Sequence, residues 1–229
     1  MLGDRHATRR NIHRPGGGNV DVSRIDHITV TAPTLAAGAA FVLKALGATP
    51  QPGGEHPRMG THNLLLRLGD ALFLEIIAPN PDAPPPGRPR WFALDRLAPD
   101  SPPSLGTWVA RTDDIRATAA VGSEDLGPVE PMSRGQRNWL ITIPADGSVA
   151  LDGVAPALIE WDDHPHPAAG LPDQGLSLAR LEIFHPDPQR ASALLASIGL
   201  EDAVACQHGD KPRLVAHINT PQGIKELST

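Results

Sequence analysis

The chain has 229 residues, with 20 Lys and Arg against 26 Asp and Glu, a formal net charge of -6. That acidic balance leaves no footprint for nucleic acid or for an anionic membrane surface, and no apolar run approaches the ~20 residues that span a bilayer. One cysteine, Cys206, excludes an internal disulfide framework and suits a reducing cytoplasm, while the absence of tyrosine removes that residue as a general acid.

Residues 1–20 carry Arg5, Arg9, Arg10, Arg14 and Gly16-Gly17-Gly18 without an apolar stretch, so they read as a disordered basic leader and not as a secretory signal. Arg24 to Thr31 alternate as a strand, with Ile28 and Val30 on one face and Ile25, His27 and Thr29 on the other. Thr34 follows Pro33 as the N-cap of a helix whose stripe is Leu35, Ala39, Val42 and Leu46, and Gly47 ends it. A weak strand through Ala48-Thr49-Pro50 precedes the most informative stretch. Two apolar runs flank Gly69-Asp70 and predict a β-hairpin. With Gly69 and Asp70 as its loop, Leu64 faces Glu75, Leu66 faces Phe73 and His62 faces Ile77, so His62 and Glu75 share a face. Glu75 stands among Phe73, Leu74, Ile76 and Ile77. A buried carboxylate is costly, so Glu75 lies at an edge, is paired, or holds a cation.

A proline-rich stretch from Asn80 to Pro89 then reads as a stiff connection. The same order of elements returns: a strand at Thr107–Arg111, a short helix from Ile115 to Val121 capped by Asp113 or Asp114, and strands at Asn138–Ile143 and Ala157–Trp161. A third pass starts with a strand at Leu178–Ile183. Asp187 caps a helix there with Pro188 at its first position, and strands follow at Leu214–Ile218 and Ile224–Leu227. The organisation predicted is a leader (1–20), a first module (21–80), a connection (81–104), a second module (105–170) and a shorter third (171–229). The fold class is α+β.

The runs Ile25-Asp26-His27-Ile28, Gly53 to Asn63, and Leu68-Gly69-Asp70 to Ile76, with Trp161 and His164-Pro165 later, resemble the vicinal oxygen chelate superfamily and, within it, glyoxalase-like proteins. The resemblance implies repeated βαβββ modules that form half-open mixed sheets with helices outside, as in glyoxalase and bleomycin-resistance proteins. It further implies a divalent metal (Zn, Ni, Mn or Fe) held by the first and last strands of each module. Carried over, the ligands are His27, Glu75 and Glu160, with Glu75 and Glu160 also moving protons. The second-module match to His27 falls near Thr107, and the third pass offers Arg180 and Glu226. His62, Asn63 and Arg111 are the expected substrate contacts, from a wider set of arginines (Arg58, Arg67, Arg134 and Arg137) that suit an anionic substrate. His56 reads as a loop residue, and Asp162-Asp163-His164-Pro165-His166 as a surface loop despite its metal-like composition.

Three functions follow from that likeness. The first is a metal-dependent lyase or isomerase acting on a small oxygenated metabolite. The second is a metal-free protein that binds or sequesters a small molecule, and the third a ring-cleaving dioxygenase, whose sites use two histidines, a carboxylate and commonly a tyrosine. Because two modules close one cleft, the odd third module either caps that cleft or pairs across a homodimer.

Overall fold

The computed structural model describes residues 23–162 and 165–229, so the leader expected over residues 1–20 lies outside it. The helices begin where local chemistry satisfies their free N–H groups. Thr34 Oγ1 accepts Ala37 N–H at 3.1 Å to open α1 (Leu35–Leu46), and Gly47 closes it in the left-handed conformation. Asp114 caps α2 (Ile115–Val121), a single turn α3 (Ala150–Gly153) follows, and Asp187 caps α4 (Pro188–Ser197).

Eight strands form one sheet: β1 (Arg24–Thr31), β2 (Gln51–His56), β3 (Thr61–Gly69), β4 (Leu72–Pro79), β5 (Ser104–Arg111), β6 (Val129–Arg134), β7 (Arg137–Thr142) and β8 (Ala157–Trp161). Their order is β2-β3-β4-β1-β5-β8-β7-β6, with β1 parallel to β4, β5 parallel to β8, and β1 antiparallel to β5 at the centre. Each half is thus a strand, a helix and three strands. The two outer strands, β2 and β6, belong to opposite ends of this sheet, yet Arg134 packs on Gly54 and donates to Asn63. The sheet therefore curls into a half-open barrel with α1 and α2 outside.

The β3–β4 hairpin corrects the expected register. Its turn is Asp70-Ala71, and a bulge between Arg67 and Gly69 shifts the ladder so that Leu65 lies opposite Glu75 and Asn63 opposite Ile77. A slip of one residue exchanges the two faces of a strand. Asn63, and not His62, therefore shares the face of Glu75. The second strand is likewise later than Ala48-Thr49-Pro50, which places His56 at the end of β2 and buries it.

The two faces of the large sheet have different partners. On the convex face, Ile28, Val30, Leu74, Ile76 and Trp108 join Val42 and Leu46 of α1 in one core. Gly38 allows this approach, because a Cβ there would meet Ile76 Cγ2 at 2.3 Å. The same core takes in Leu181, Ile183, Leu214, Ala216 and Leu227 from a second sheet, together with Leu194 and Leu195 of α4 and Ile198 at its end. That four-stranded sheet runs β10-β9-β11-β12 through β9 (Ser177–His185), β10 (Ala205–His208), β11 (Arg213–Thr220) and β12 (Gly223–Ser228). Here the first strand pairs in parallel with the second, whereas in both halves of the barrel it pairs with the fourth. The last unit thus covers the back of the barrel rather than capping its mouth, and its apolar face is satisfied within the chain. The expectation of a dimer loses that premise.

The concave face carries Met59, Ile77, Val109, Trp139, Ile141 and Ile159, and the connection between the halves fills it further with Trp91, Phe92 and Leu94. The connection is therefore more than a spacer. Phe92 and Ala93 are both left-handed, at φ 58° and 55°, a backbone state that costs about 1–3 kcal/mol per non-glycine residue. Ala93 N–H donates to Gly147 O at 2.7 Å, and Arg90 is tied to Asp95 at 2.7 Å, so the surroundings hold the bend.

Candidate functional site

Inside the barrel, β1 sets two acidic and basic groups side by side. Asp26 is fully buried, and its Oδ1 lies 2.7 Å from His27 Nδ1. Its Oδ2 accepts from Trp161 Nε1 at 2.9 Å and lies 3.0 Å from His166 Nε2, with Arg111 Nε 3.9 Å away. Burial alone would raise the Asp26 carboxyl, but the hydrogen bonds and positive charge of His166 and His27 outweigh it and hold the group well below the usual carboxylate range. Asp26 is therefore an acceptor only, which makes His27 Nδ1 the donor and aims Nε2 into the barrel.

What Nε2 meets there is Glu75. Its Oε2 lies 3.6 Å away and accepts the Thr29 hydroxyl at 3.3 Å, while its Oε1 accepts Asn63 Nδ2 at 2.6 Å. Asn63 Oδ1 in turn accepts from Arg134 at 3.1 Å, so the cation reaches the carboxylate through an amide. Burial pushes the Arg134 guanidinium below its ordinary value, an effect that the charge of Glu75 partly offsets. Phe73 stacks on His27 at 4.5 Å between ring centres. With Nδ1 donating to Asp26, Nε2 is the ring atom of His27 left to face the Glu75 carboxylate or a bound molecule.

These groups border a small cavity, walled otherwise by His56, Trp91, Phe92, Trp139, Ile141, Ile159 and Trp161. His56 lies edge-on to Trp91 at 5.1 Å, and its Nδ1 is 3.1 Å from Thr61 Oγ1. Burial, reinforced by the positive charges of Arg134 and His27, lowers the pKa of His56 to about 3, so this imidazole is neutral.

The family described as the glyoxalase-like domain matches residues 25–199, most of the chain. The chain belongs to that family. Among solved structures, a hypothetical protein from Staphylococcus aureus is similar at 13% identity over 87% of this chain and 82% of its own, with a TM-score of 0.57. Streptomyces coelicolor methylmalonyl-CoA epimerase is similar at 21% identity over 64% of this chain and 99% of its own (TM-score 0.42). A mutant 4-hydroxymandelate synthase from the same organism is similar at 14% over 91% and 63% (TM-score 0.44). No curated protein matches. The fold is that of the vicinal oxygen chelate superfamily, with mixed curved sheets and few helices.

Of the residues that the sequence nominates, the glyoxalase-like barrel brings together His27, Glu75 and Asn63. Glu160 lies elsewhere. It sits on the outer face of β8, where its Oε2 accepts the Ile115 N–H at the start of α2 at 2.8 Å. The register explains the displacement. The helices of the two halves start at Leu35 and Ile115, so Thr29 corresponds to Val109; Thr29 pairs with Glu75 and Val109 with Ala157. Ala157, not Glu160, thus stands in the place of Glu75. Thr107 stands in that of His27, as the sequence suggests. His62 points to the other face of β3, half-buried near Glu55 and Asp82, and its pKa is lowered chiefly by burial. Arg111 lies behind Asp26 and lines a separate surface hollow with Arg24 and Asp113.

A two-module metal site does not fit this donor set. One half supplies His27 and Glu75, the other Thr107 and Ala157, and both oxygens of Glu75 already accept hydrogen bonds. Among the described residues, no three His, Cys, Asp or Glu side chains are grouped to hold an ion. The two histidines and carboxylate of a ring-cleaving site are likewise not grouped among the described residues.

Four residues of the site were not singled out from sequence. Asp26 was visible only as the neighbour of His27. Arg134 was one arginine among several, of which Arg67 instead pairs with Asp70 at 2.6 Å and Arg58 with Glu130. His166 comes from the run that reads as a surface loop, of which Asp163 and His164 lie outside the described residues. Trp91 was hidden in the connection, where no periodicity marks it. Among the described residues, no helix is long and apolar enough to cross a membrane.

Proposed function

We propose that this glyoxalase-like protein takes a small oxygenated metabolite into the barrel and moves a proton on it, as an isomerase or lyase, using its own acid–base groups rather than a resident metal. The observation that carries this reading is the line Asp26–His27–Glu75, at 2.7 and 3.6 Å, opening into an aromatic cavity. Asp26 orients the ring, Nε2 of His27 and the Glu75 carboxylate exchange the proton, and Asn63 with Arg134 stabilises the charge on Glu75. A low-dielectric surround strengthens each of these contacts.

The test is loss of C–H signal by proton NMR in D2O over a panel of small α-hydroxy and α-keto acids and their thioesters. Wild type is expected to exchange at least one of them, with His27→Ala and Glu75→Gln slower by about 10²–10⁴-fold. Exchange that survives both substitutions would refute the assignment. Elemental analysis is expected to find well under one equivalent of Zn, Ni, Mn or Fe, and a stoichiometric metal lost in His27→Ala would restore the metal-dependent lyase reading. A second reading, binding without chemistry, is favoured by the saturated hydrogen bonding of Glu75. It predicts tight binding without exchange.

A further inference from the structure

The concave face holds a polar atom that the acid–base line leaves unused. Trp91 is 3% exposed, and its indole N–H has no hydrogen-bond partner among the described residues. Such an orphan donor is costly in a fold whose other buried polar side chains are nearly all paired. Its carrier is the connection between the two barrel halves, a segment held in the left-handed bend at Phe92 and Ala93. Phe92 stacks on Trp91 at 5.2 Å with the planes only 9° apart. The pair stands between two hollows. One contains His27, Asn63, Glu75 and Arg134; the other contains Thr107, Thr142 and Ala157, the blank counterpart of the first. Backbone strain beside an unsatisfied donor is what a pre-organised ligand contact leaves behind in the free protein.

We propose that Trp91 is a ligand-binding residue whose N–H is satisfied by an oxygen of the bound molecule, and that this molecule is a small planar acid, aromatic or conjugated. The proposal rests on the proton-transfer reading only for which cavity is used. Its chemistry comes from the walls. Phe73, Phe92, Trp139 and Trp161 offer ring faces and edges to a flat body. The half-desolvated guanidinium of Arg134 and the Trp91 N–H offer a cation and a neutral donor to a carboxylate or conjugated carbonyl. Glu75 and Nε2 of His27 then face its carbon skeleton.

Benzoate, cinnamate, cyclohexanecarboxylate and toluene are the probes, titrated by calorimetry into wild type and Trp91→Phe, which keeps the ring and deletes the donor. Wild type is expected to prefer benzoate or cinnamate over cyclohexanecarboxylate. Trp91→Phe is expected to bind the preferred acid about tenfold more weakly, the worth of one hydrogen bond, with toluene binding unchanged. Without ligand, Trp91→Phe should melt at or above the wild-type temperature, because the orphan donor is gone; a side chain that only packs would give a loss. As a readout that needs no variant affinity, the Trp91 indole N–H resonance, identified by its absence in Trp91→Phe, should move downfield on adding benzoate. Equal affinity in the two proteins, a preference for cyclohexanecarboxylate, or no binding of either planar acid would overturn the proposal. Exchange chemistry is scored separately: binding through Trp91 without exchange would refute the catalytic reading alone, and exchange indifferent to Trp91→Phe would refute this one alone.

Discussion

The two halves of the barrel share a topology and divide the chemistry. The first carries His27, Asn63 and Glu75 on its inner face, with Asp26 bonded to His27, while the second presents Val109, Trp139, Ile141, Ala157 and Ile159 at the corresponding surface, with Arg134 at its rim. A repeated fold sets positions and not their occupants. One half has kept groups that titrate and the other has become the wall that excludes water from them. The difference also accounts for the unpaired metal positions, since a symmetric site needs donors from both halves.

The largest expected effect is on Asp26. Its carboxylate joins His27, His166 and Trp161; Trp161 ends β8 of the second half and His166 follows that strand, so the carboxylate pins the halves together. Asp26→Ala leaves two imidazoles and an indole N–H without their buried partner. We expect a loss of about 3–5 kcal/mol by urea unfolding at pH 7, as when a buried pair loses one member, and no proton exchange in what remains folded. A loss under 1 kcal/mol would mean that the hub is decorative and that the halves adhere by apolar packing alone.

The acid side of the first half should show in the pH dependence of stability. His56 falls from 6.5 to about 3 in the fold. Between those values the unfolded chain binds a proton that the folded chain refuses, so stability is full above about pH 6.5 and falls as the pH drops. The expected loss is about 2 kcal/mol from pH 7 to 5, approaching about 4 kcal/mol near pH 3. Asp26, lowered instead, adds its own loss only below about pH 4. In His56→Phe the slope between pH 7 and 5 should flatten; an unchanged slope would assign it to other histidines.

How much of this was legible from sequence follows the range of the forces involved. Local signals sufficed for caps: Thr34, Asp114 and Asp187 open helices where their hydroxyl or carboxylate side chains predict, and β8 runs over Ala157–Trp161 as read. The inward set of β1 was legible through its alternation, and with it His27. The hairpin was legible as a hairpin, yet its bulge at Arg67–Gly69 was not, and that single residue exchanged His62 for Asn63. The plug at Trp91 was invisible because a segment held by tertiary contacts to Gly147 and Asp95 needs no periodicity of its own. Glu160 was misplaced because likeness of the strings Leu158-Ile159-Glu160-Trp161 and Phe73-Leu74-Glu75-Ile76 cannot reveal strand pairing.

Glu160 accordingly gives the smallest effect and the sharpest contrast between the halves. Its carboxylate accepts one backbone N–H at the start of a seven-residue helix, outside the barrel. A negative charge there is favourable against the helix dipole, and its contribution at a partly exposed site is about 0.5–1 kcal/mol. Glu160→Gln keeps an acceptor oxygen and removes only the charge, so a stability loss within about 1 kcal/mol and unchanged proton exchange are expected. Glu75→Gln makes the same chemical change inside the barrel and should remove exchange. If the two substitutions damaged exchange equally, the outer face of β8 would have to reach the reacting atoms, and the division of labour between the halves would not hold.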